Sequence, residues 1–311
     1  MTGAILRRLG WTLLVVWFVV TATFAMLAVI PADPAKALLG PHGTPEAAER
    51  VRAHYCLDEG PLVQYGCWLE SLARGDLGES YRSKRPVTEI LAARAWPTAQ
   101  LALAAIVLQL VLGIPLGMIA ALRKHRWPDH GITVLSLVGQ SAPPFVVGTL
   151  LSYVLAYRFG WFPIAGYGDG VLDRLHHLVL PALTVATMGT ALYARLARAE
   201  LVENLAGDHV RTARAKGLPE RTVVLRHALR PGLGPLVTLV GLDLGVLLGG
   251  AVVTETIFAW PGLGREVLLA IADVDVPLIL GVVLVSAIAV AIANLLADLV
   301  HVALDPRLRD R

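Results

Sequence analysis

Asp243 stands near the middle of the apolar run Pro231–Thr254, where it is the single charged residue. A carboxylate at the centre of a bilayer costs about 2.5 to 3.5 kcal/mol on insertion scales, so it does not face lipid. Two placements remain. It lines a wet cavity and attracts a cationic solute, or it hydrogen-bonds across a helix interface, which its flanks Gly241 and Gly245 would allow; hydration of the carboxylate favours the cavity. An enzyme built inside a membrane needs paired ionisable or nucleophilic groups at matching depth, and among the apolar runs Asp243 alone lies deep. No G-x-x-x-x-G-K-[ST] loop, H-E-x-x-H pair or G-x-S-x-G elbow occurs, so the chain carries no catalytic residue and cannot itself hydrolyse ATP. His176 and His177 read as an anchor at the mouth of a span, and Gly166, Gly168 and Gly170 as a turn.

The densest cluster of charge is Asp208–Arg230, "DHVRTARAKGLPERTVVLRHALR". Asp208 is suited to N-cap a short helix. Arg214 and Lys216 fall in its last turn, where the helix dipole favours cations, and Gly217 suits a left-handed C-terminal cap. Pro219 then opens a second helix on which Arg226 and Arg230 share a face, with Val223, Val224 and Leu225 giving apolar contact. A basic strip lying among lipid headgroups would account for the charge but not for a cap, a Gly-Leu-Pro hinge and a second helix in one compact loop. Such a loop is suited to passing motion to another protein.

The elements that hold these residues are apolar. Hydrophobic residues make up 56% of the 311 positions and charged residues 16%, well below the usual charged share of soluble domains. Uncharged runs at 9–30, 95–122, 132–157, 178–194 and 276–297, with 231–254, predict an all-α polytopic membrane protein of six transmembrane helices. Arg7 and Arg8 before the first run resemble a signal peptide, but the run is longer than a typical signal core, so an uncleaved first span is expected. The basic residues Arg7, Arg8, Arg123, Lys124, Arg126, Arg195, Arg198, those of 208–230, and Arg307, Arg309 and Arg311 share one side if both termini are cytoplasmic. The opposite short loops hold only Arg158, Arg174 and Arg265, and a formal net charge of +3 calls for no nucleic acid.

The chain divides into an N-terminal span (1–30), an extracytoplasmic helical segment (31–94), a five-span core (95–302) with the 208–230 loop, and a tail (303–311). Helices are expected over 45–54 and 62–73 of the outer segment. Cys56 and Cys67 lie there, where a disulfide is chemically permitted; two small buried residues packed between helices are the alternative. Gly113-Ile114-Pro115-Leu116-Gly117 and Pro143-Pro144 predict kinks beside a cavity or close helix contacts; for Gly113 with Gly117 and the series Gly241, Gly245, Gly249 helix packing is the default expectation and a contact between subunits the sharper one.

The loop resembles the EAA coupling loop of ABC importer permeases. "RTARAKGL", "HALR" and "GPLVT" are similar to the dipeptide, oligopeptide and nickel permease family, as are "LRRLG" at Leu6, "IPADPA" at Ile30, "LDEGPLVQY" at Leu57, "GDLG" at Gly75, "GIPLG" at Gly113, "HLVLPAL" at His177, "TETIFAWPGLG" at Thr254 and "ALDPRLR" at Ala303. Departures are Pro231 where the family has Asn, Gly234 for a larger aliphatic residue, Ala32 for Gly, and Arg211 and Thr212 for the first two letters of EAA. The resemblance implies a type I permease fold in a bacterial inner membrane and a cargo of di- or oligopeptides, the alternatives being nickel, glutathione or another peptide-like solute. It also implies a second homologous permease subunit, two cytoplasmic ATPase subunits that bind ATP and Mg, and an extracytoplasmic substrate-binding protein; this chain holds no cofactor. Asp208, Arg211, Thr212, Ala213, Lys216 and Gly217 would couple to the ATPase.

Overall fold

The computed structural model describes residues 2–29 and 58–304, together with 44, 46, 49, 52, 53 and 56. The helix expected over 45–54 and the tail from 305 onward fall largely outside these residues. Among the described residues the chain is helical, apart from an isolated bridge between Glu79 and Pro86. We number the helices α1 Thr2–Val29, α2 Pro61–Ala73, α3 Val87–Leu122, α4 Trp127–Ser141, α5 Pro144–Arg158, α6 Val171–Leu205, α7 Asp208–Ala215, α8 Glu220–Leu229, α9 Leu233–Leu248, α10 Val252–Ile257, α11 Leu263–Ala272 and α12 Val276–Leu304.

Four of these helices, α1, α3, α6 and α12, are long and apolar enough to cross a membrane unaided, and six spans result if each of two bent pairs counts as one. The third expected span is such a pair: α4 and α5 meet at 104° instead of forming one straight helix over 132–157. The cause is local. Ala142 and Pro143 each precede a proline, which drives them out of helical backbone, and both are extended with ψ of 123° and 136°. The fifth span is also shorter than its apolar run. α8 and α9 meet at 57° around Pro231, and α9 ends at Leu248, where Gly250 takes a positive φ of 104°.

The framework is the pair α3 and α6, of 36 and 35 residues. Helix α3 runs unbroken through Pro97 and Pro115, and the close helix contact expected there is present. A Cβ at Gly117 would lie 2.5 Å from the Ala194 carbonyl oxygen and 2.7 Å from Ala197 Cβ, and one at Gly113 would lie 2.6 Å from Tyr193 Cβ. Gly241 and Gly245 do the same for α9 against α12, facing Ala297 and Val290. Gly113, Gly117, Gly241 and Gly245 thus serve helix packing within the chain, the default expectation, and not the contact between subunits.

Around this framework α1 leaves Trp11, Leu13, Trp17 and Phe18 exposed, as a lipid-facing helix does. Near its C-terminal end it meets α2: Phe24 packs against Tyr65 and Trp68 with ring centroids 5.1 and 5.7 Å apart, and Thr21 Oγ1 lies 2.7 Å from the Tyr65 hydroxyl. Cys67 of α2 is joined to Cys56 by a disulfide. The segment between α2 and α3 is tied to the start of α12 by Asp275, which accepts hydrogen bonds from Ser80 Oγ at 2.5 Å and Tyr81 N at 3.1 Å.

Substituting Gly117→Val should wedge α3 from α6 and destabilise the protein by about 2 kcal/mol, the order seen for overpacking a close-fitted site. Thermal unfolding of detergent-purified protein checks this, with Gly131→Ala, where a Cβ meets no atom within 4 Å, as the variant expected to unfold at the native temperature or above.

Candidate functional site

Three groups of polar residues are built onto the α3–α6 pair, the first at the end where the chain leaves α6. Helix α7 starts at Asp208, so Gly207 and not Asp208 is the N-cap, and no side chain caps the helix. Asp208 sits in the first turn instead, exposed and 3.4 Å from Arg211 Nη1. The other end closes as a Schellman motif: Gly217 N donates to the Arg214 carbonyl at 2.9 Å, Leu218 N to the Ala213 carbonyl at 3.4 Å, and Gly217 has φ of 74°. Pro219 then caps α8, whose second half is wound as a π-helix.

Arg214 crosses the hinge to Glu220 with two hydrogen bonds of 2.6 and 3.1 Å, a pairing that went unread in the sequence because the partners lie on different helices. That guanidinium holds the Glu220 carboxyl below its ordinary value, so the contact persists at neutral pH and weakens only as pH falls through the lowered value.

One face of the two helices packs on the bundle. Val210, Ala213, Val223, Val224 and Ala228 form a buried cluster with Ala121 of α3 and Leu201 of α6. The other face is open: Asp208, Arg211, Thr212, Lys216 and Gly217 are exposed. Ala213 faces inward, and Leu225, expected to give apolar contact, is exposed as well. Close by, Asp129 of α4 accepts from Arg198 of α6 at 2.5 and 2.8 Å and from His125 N at 2.9 Å, tying the start of α4 to the same end of α6.

The second group surrounds a cavity of about 330 Å³ between α3, α4, α6 and α9, with the segment 250–254 in its lining. Asp243 lines it, with Gln109, Gln140, Thr184 and Thr187. Gly241 and Gly245 are committed to α12, and Asp243 lies two residues from each, about 200° around the helix, which turns it away from α12. The bend between α4 and α5 contributes Ala142 and Pro144 to the wall.

The third group lies beyond the cavity. Glu255 of α10, just past the apolar run that holds Asp243, is fully buried. Its carboxylate accepts from Thr98 Oγ1 at 2.9 Å and Arg265 N at 2.8 Å, while Thr98 Oγ1 accepts from Leu263 N at 2.8 Å. Trp260, also fully buried, donates Nε1 to the Pro97 carbonyl at 2.8 Å and meets Tyr167 edge to face. The run "TETIFAWPGLG" is thus a folded loop clamped to α3, not the frayed end of a span. At the same end His176 Nε2 lies 2.7 Å from the Trp161 carbonyl and His177 lies against Asp173, with Gly166, Gly168 and Gly170 all at positive φ in the turn between α5 and α6. Among the described residues no three His, Cys, Asp or Glu side chains are grouped to hold a metal.

A model of the binding-protein-dependent transport system inner membrane component matches residues 113–310, and the N-terminal model of the same components matches residues 1–102. The chain belongs to this family. It is a permease subunit of a binding-protein-dependent ABC importer, a multi-pass membrane protein that is not itself catalytic. The permease is 36% identical over 309 residues, 99% of each chain, to the glutathione transport system permease protein GsiC of Escherichia coli O6:H1. It is 38% identical over 312 residues, again 99% of each, to a putative peptide transport system permease protein of Brucella abortus. Its fold resembles the methionine ABC transporter MetNI in an inward-facing conformation, with a TM-score of 0.56 at 17% identity over 70% of this chain and 96% of that one. The type I permease fold and the family read from the motifs are both shown by these matches.

Replacing Glu255 with Ala should orphan the Thr98 hydroxyl and the Arg265 N–H in a buried site, at roughly 2 to 4 kcal/mol for the two groups together. The observable is a lowered unfolding temperature with early proteolysis between α9 and α12; an unfolding temperature equal to that of the native permease would show the clamp to be dispensable.

Proposed function

We propose that this permease carries peptides, that α7 and α8 dock into a groove of a cytoplasmic ATPase, and that it works beside a second, related permease. The observation that carries the coupling role is the α7–α8 unit: two helices locked together by a Schellman cap and the Arg214–Glu220 pair, one face buried on α3 and α6, the other exposed. A unit fixed so firmly to the two central helices moves them when it is pushed. ATP and Mg would be bound by two ATPase subunits, closure of which would switch access to the cavity. Both termini and the coupling loop then lie in the cytoplasm, as the distribution of Arg and Lys favours.

Peptide cargo is supported by the peptide and glutathione systems named for the relatives, glutathione being itself a small peptide. The side opposite the coupling loop would receive a loaded substrate-binding protein, and α2 with its disulfide is positioned to contribute to that surface.

Gly217→Val tests the coupling. A Cβ there meets no atom within 4 Å, so the cost is one of backbone conformation alone, about 1 to 2 kcal/mol for a side chain held in the left-handed region. The variant should reach the membrane and keep its cavity while cargo-stimulated ATP hydrolysis and import fall together, by about tenfold; normal import by a normally inserted variant would overturn the assignment.

Cysteine-directed crosslinking from Glu70, which pairs with Arg74 on the exposed face of α2, should capture the binding protein. Crosslinks confined to the two permeases would remove the docking role.

A further inference from the structure

The cavity carries a chemical asymmetry. Among the described residues Asp243 is the one charged side chain on its wall, which holds no Lys or Arg to compensate it. Its Oδ2 atom is shielded from solvent and has no hydrogen-bond partner. Gln109, 3% exposed in the middle of α3 and lining the same cavity, has an unpartnered Oε1. The Tyr193 hydroxyl of α6, wholly buried and not part of the cavity lining, lies beside Asp243 and interacts with it. Gln109 is fixed in place by its neighbour Gly189, since any Cβ there would overlap its side chain.

Two helices thus bring Asp243 and Gln109, each with an unpartnered oxygen, into the lining of one cavity, a third sets Tyr193 beside the carboxylate, and the set as a whole has an excess of negative charge. Buried polar atoms are normally satisfied, and a carboxylate at this depth is normally paired. What such a set lacks is a small cation rich in donors. A primary ammonium group has a full positive charge and three N–H donors, enough for a carboxylate and an amide oxygen together. A metal ion fits less well, since one carboxylate among neutral oxygens offers little charge to replace a dication's water.

We propose that Asp243, Gln109 and Tyr193 form a binding site for the primary ammonium of the cargo, so that the permease itself, and not only its binding protein, selects cargo by its amino group. The site rests on the peptide reading made above and adds a specificity to it. Asp243 supplies the charge, Gln109 an acceptor on the facing helix, and Tyr193 a hydroxyl that orients the carboxylate.

The test uses the complete transporter, with its permease partner, ATPases and binding protein, in proteoliposomes. Import is measured for a tripeptide with a free amino terminus and for its N-acetyl counterpart, each loaded to saturation on the binding protein, and for a pair with Lys or norleucine at the second position. Native protein should prefer the ammonium-bearing member of at least one pair, and the pair that responds tells whether the site reads the terminus or a side chain. In Asp243→Asn that preference should fall by roughly tenfold, the order expected when a charge-assisted hydrogen bond loses its charge; Gln109→Leu should lower it less, and Asp243→Glu should retain most of it. Because each readout is a ratio within one variant, a smaller number of assembled complexes leaves it unchanged. An unaltered ratio in Asp243→Asn overturns the site. So does failure of Asp243→Asn and Asp243→Glu alike to assemble with the partner permease, which would place the carboxylate in the subunit interface. A native transporter that imports no peptide at all refutes the cargo reading instead, and the ammonium site with it.

Discussion

Gly113 and Gly117 let α6 approach α3 until backbone meets backbone, and the rest of the molecule is arranged along the line of contact they create. At one end Ala121 and Leu201 form the floor on which α7 and α8 pack. At mid-height Gln109 lies against Gly189 and, with Thr184 and Thr187, forms a wall of the cavity. At the far end Pro97 and Thr98 of α3 hold the loop that carries Glu255 and Trp260, while Leu180 of α6 packs on Phe258. In hydrocarbon there is little hydrophobic gain from bringing two helices together, so close packing of small residues and interhelical hydrogen bonds must hold them. The close packing is concentrated on this pair, and hydrogen bonds tie it to α4 and α10.

That arrangement gives the proposed coupling a mechanical basis. Protein interiors are close-packed, and displacement of one element moves those in contact with it. The α7–α8 unit touches α3 and α6 through buried apolar side chains, and the Asp129–Arg198 pair fastens the start of α4 to α6 at the same end. Helices α4 and α9, which supply further walls of the cavity, each join a neighbour through a bend at proline, and such bends are places where a helix can pivot without breaking a run of hydrogen bonds. A rigid central pair with hinged flanking helices is a reasonable construction for a passage that must open to one side at a time.

Polar groups inside the bundle divide by how fully they are satisfied. Glu255 is buried, yet it accepts from a hydroxyl and from backbone N–H groups, and its role is to hold a loop. Asp243 and Gln109 each retain an unpaired oxygen atom and line open volume. In a low-dielectric interior the satisfied network rigidifies and the unsatisfied one is poised to bind, so the two carboxylates, twelve residues apart in sequence, have different physical parts.

The apolar runs, the Arg and Lys distribution and the Gly217 cap of 208–230 were legible along the chain because each depends on residues close in sequence: hydropathy over a helix length, a proline forcing its predecessor out of helical backbone, a glycine tolerating positive φ. Residue order by itself therefore determined the membrane-spanning, all-α character of the protein, the family and the helix–hinge–helix of 208–230. The identity of the partners in space was decided only by the tertiary structure. Nothing local says that Gly241 meets Ala297, that Arg214 reaches back to Glu220, or that Thr98 and Glu255, 157 residues apart, share a hydrogen bond. Gln109 and Glu255 were visible as polar residues in or beside apolar runs, but whether such a group holds a loop or faces a cavity depends on which helices surround it. Packing settles that, because it alone determines which donors lie within reach and which lone pairs are left free.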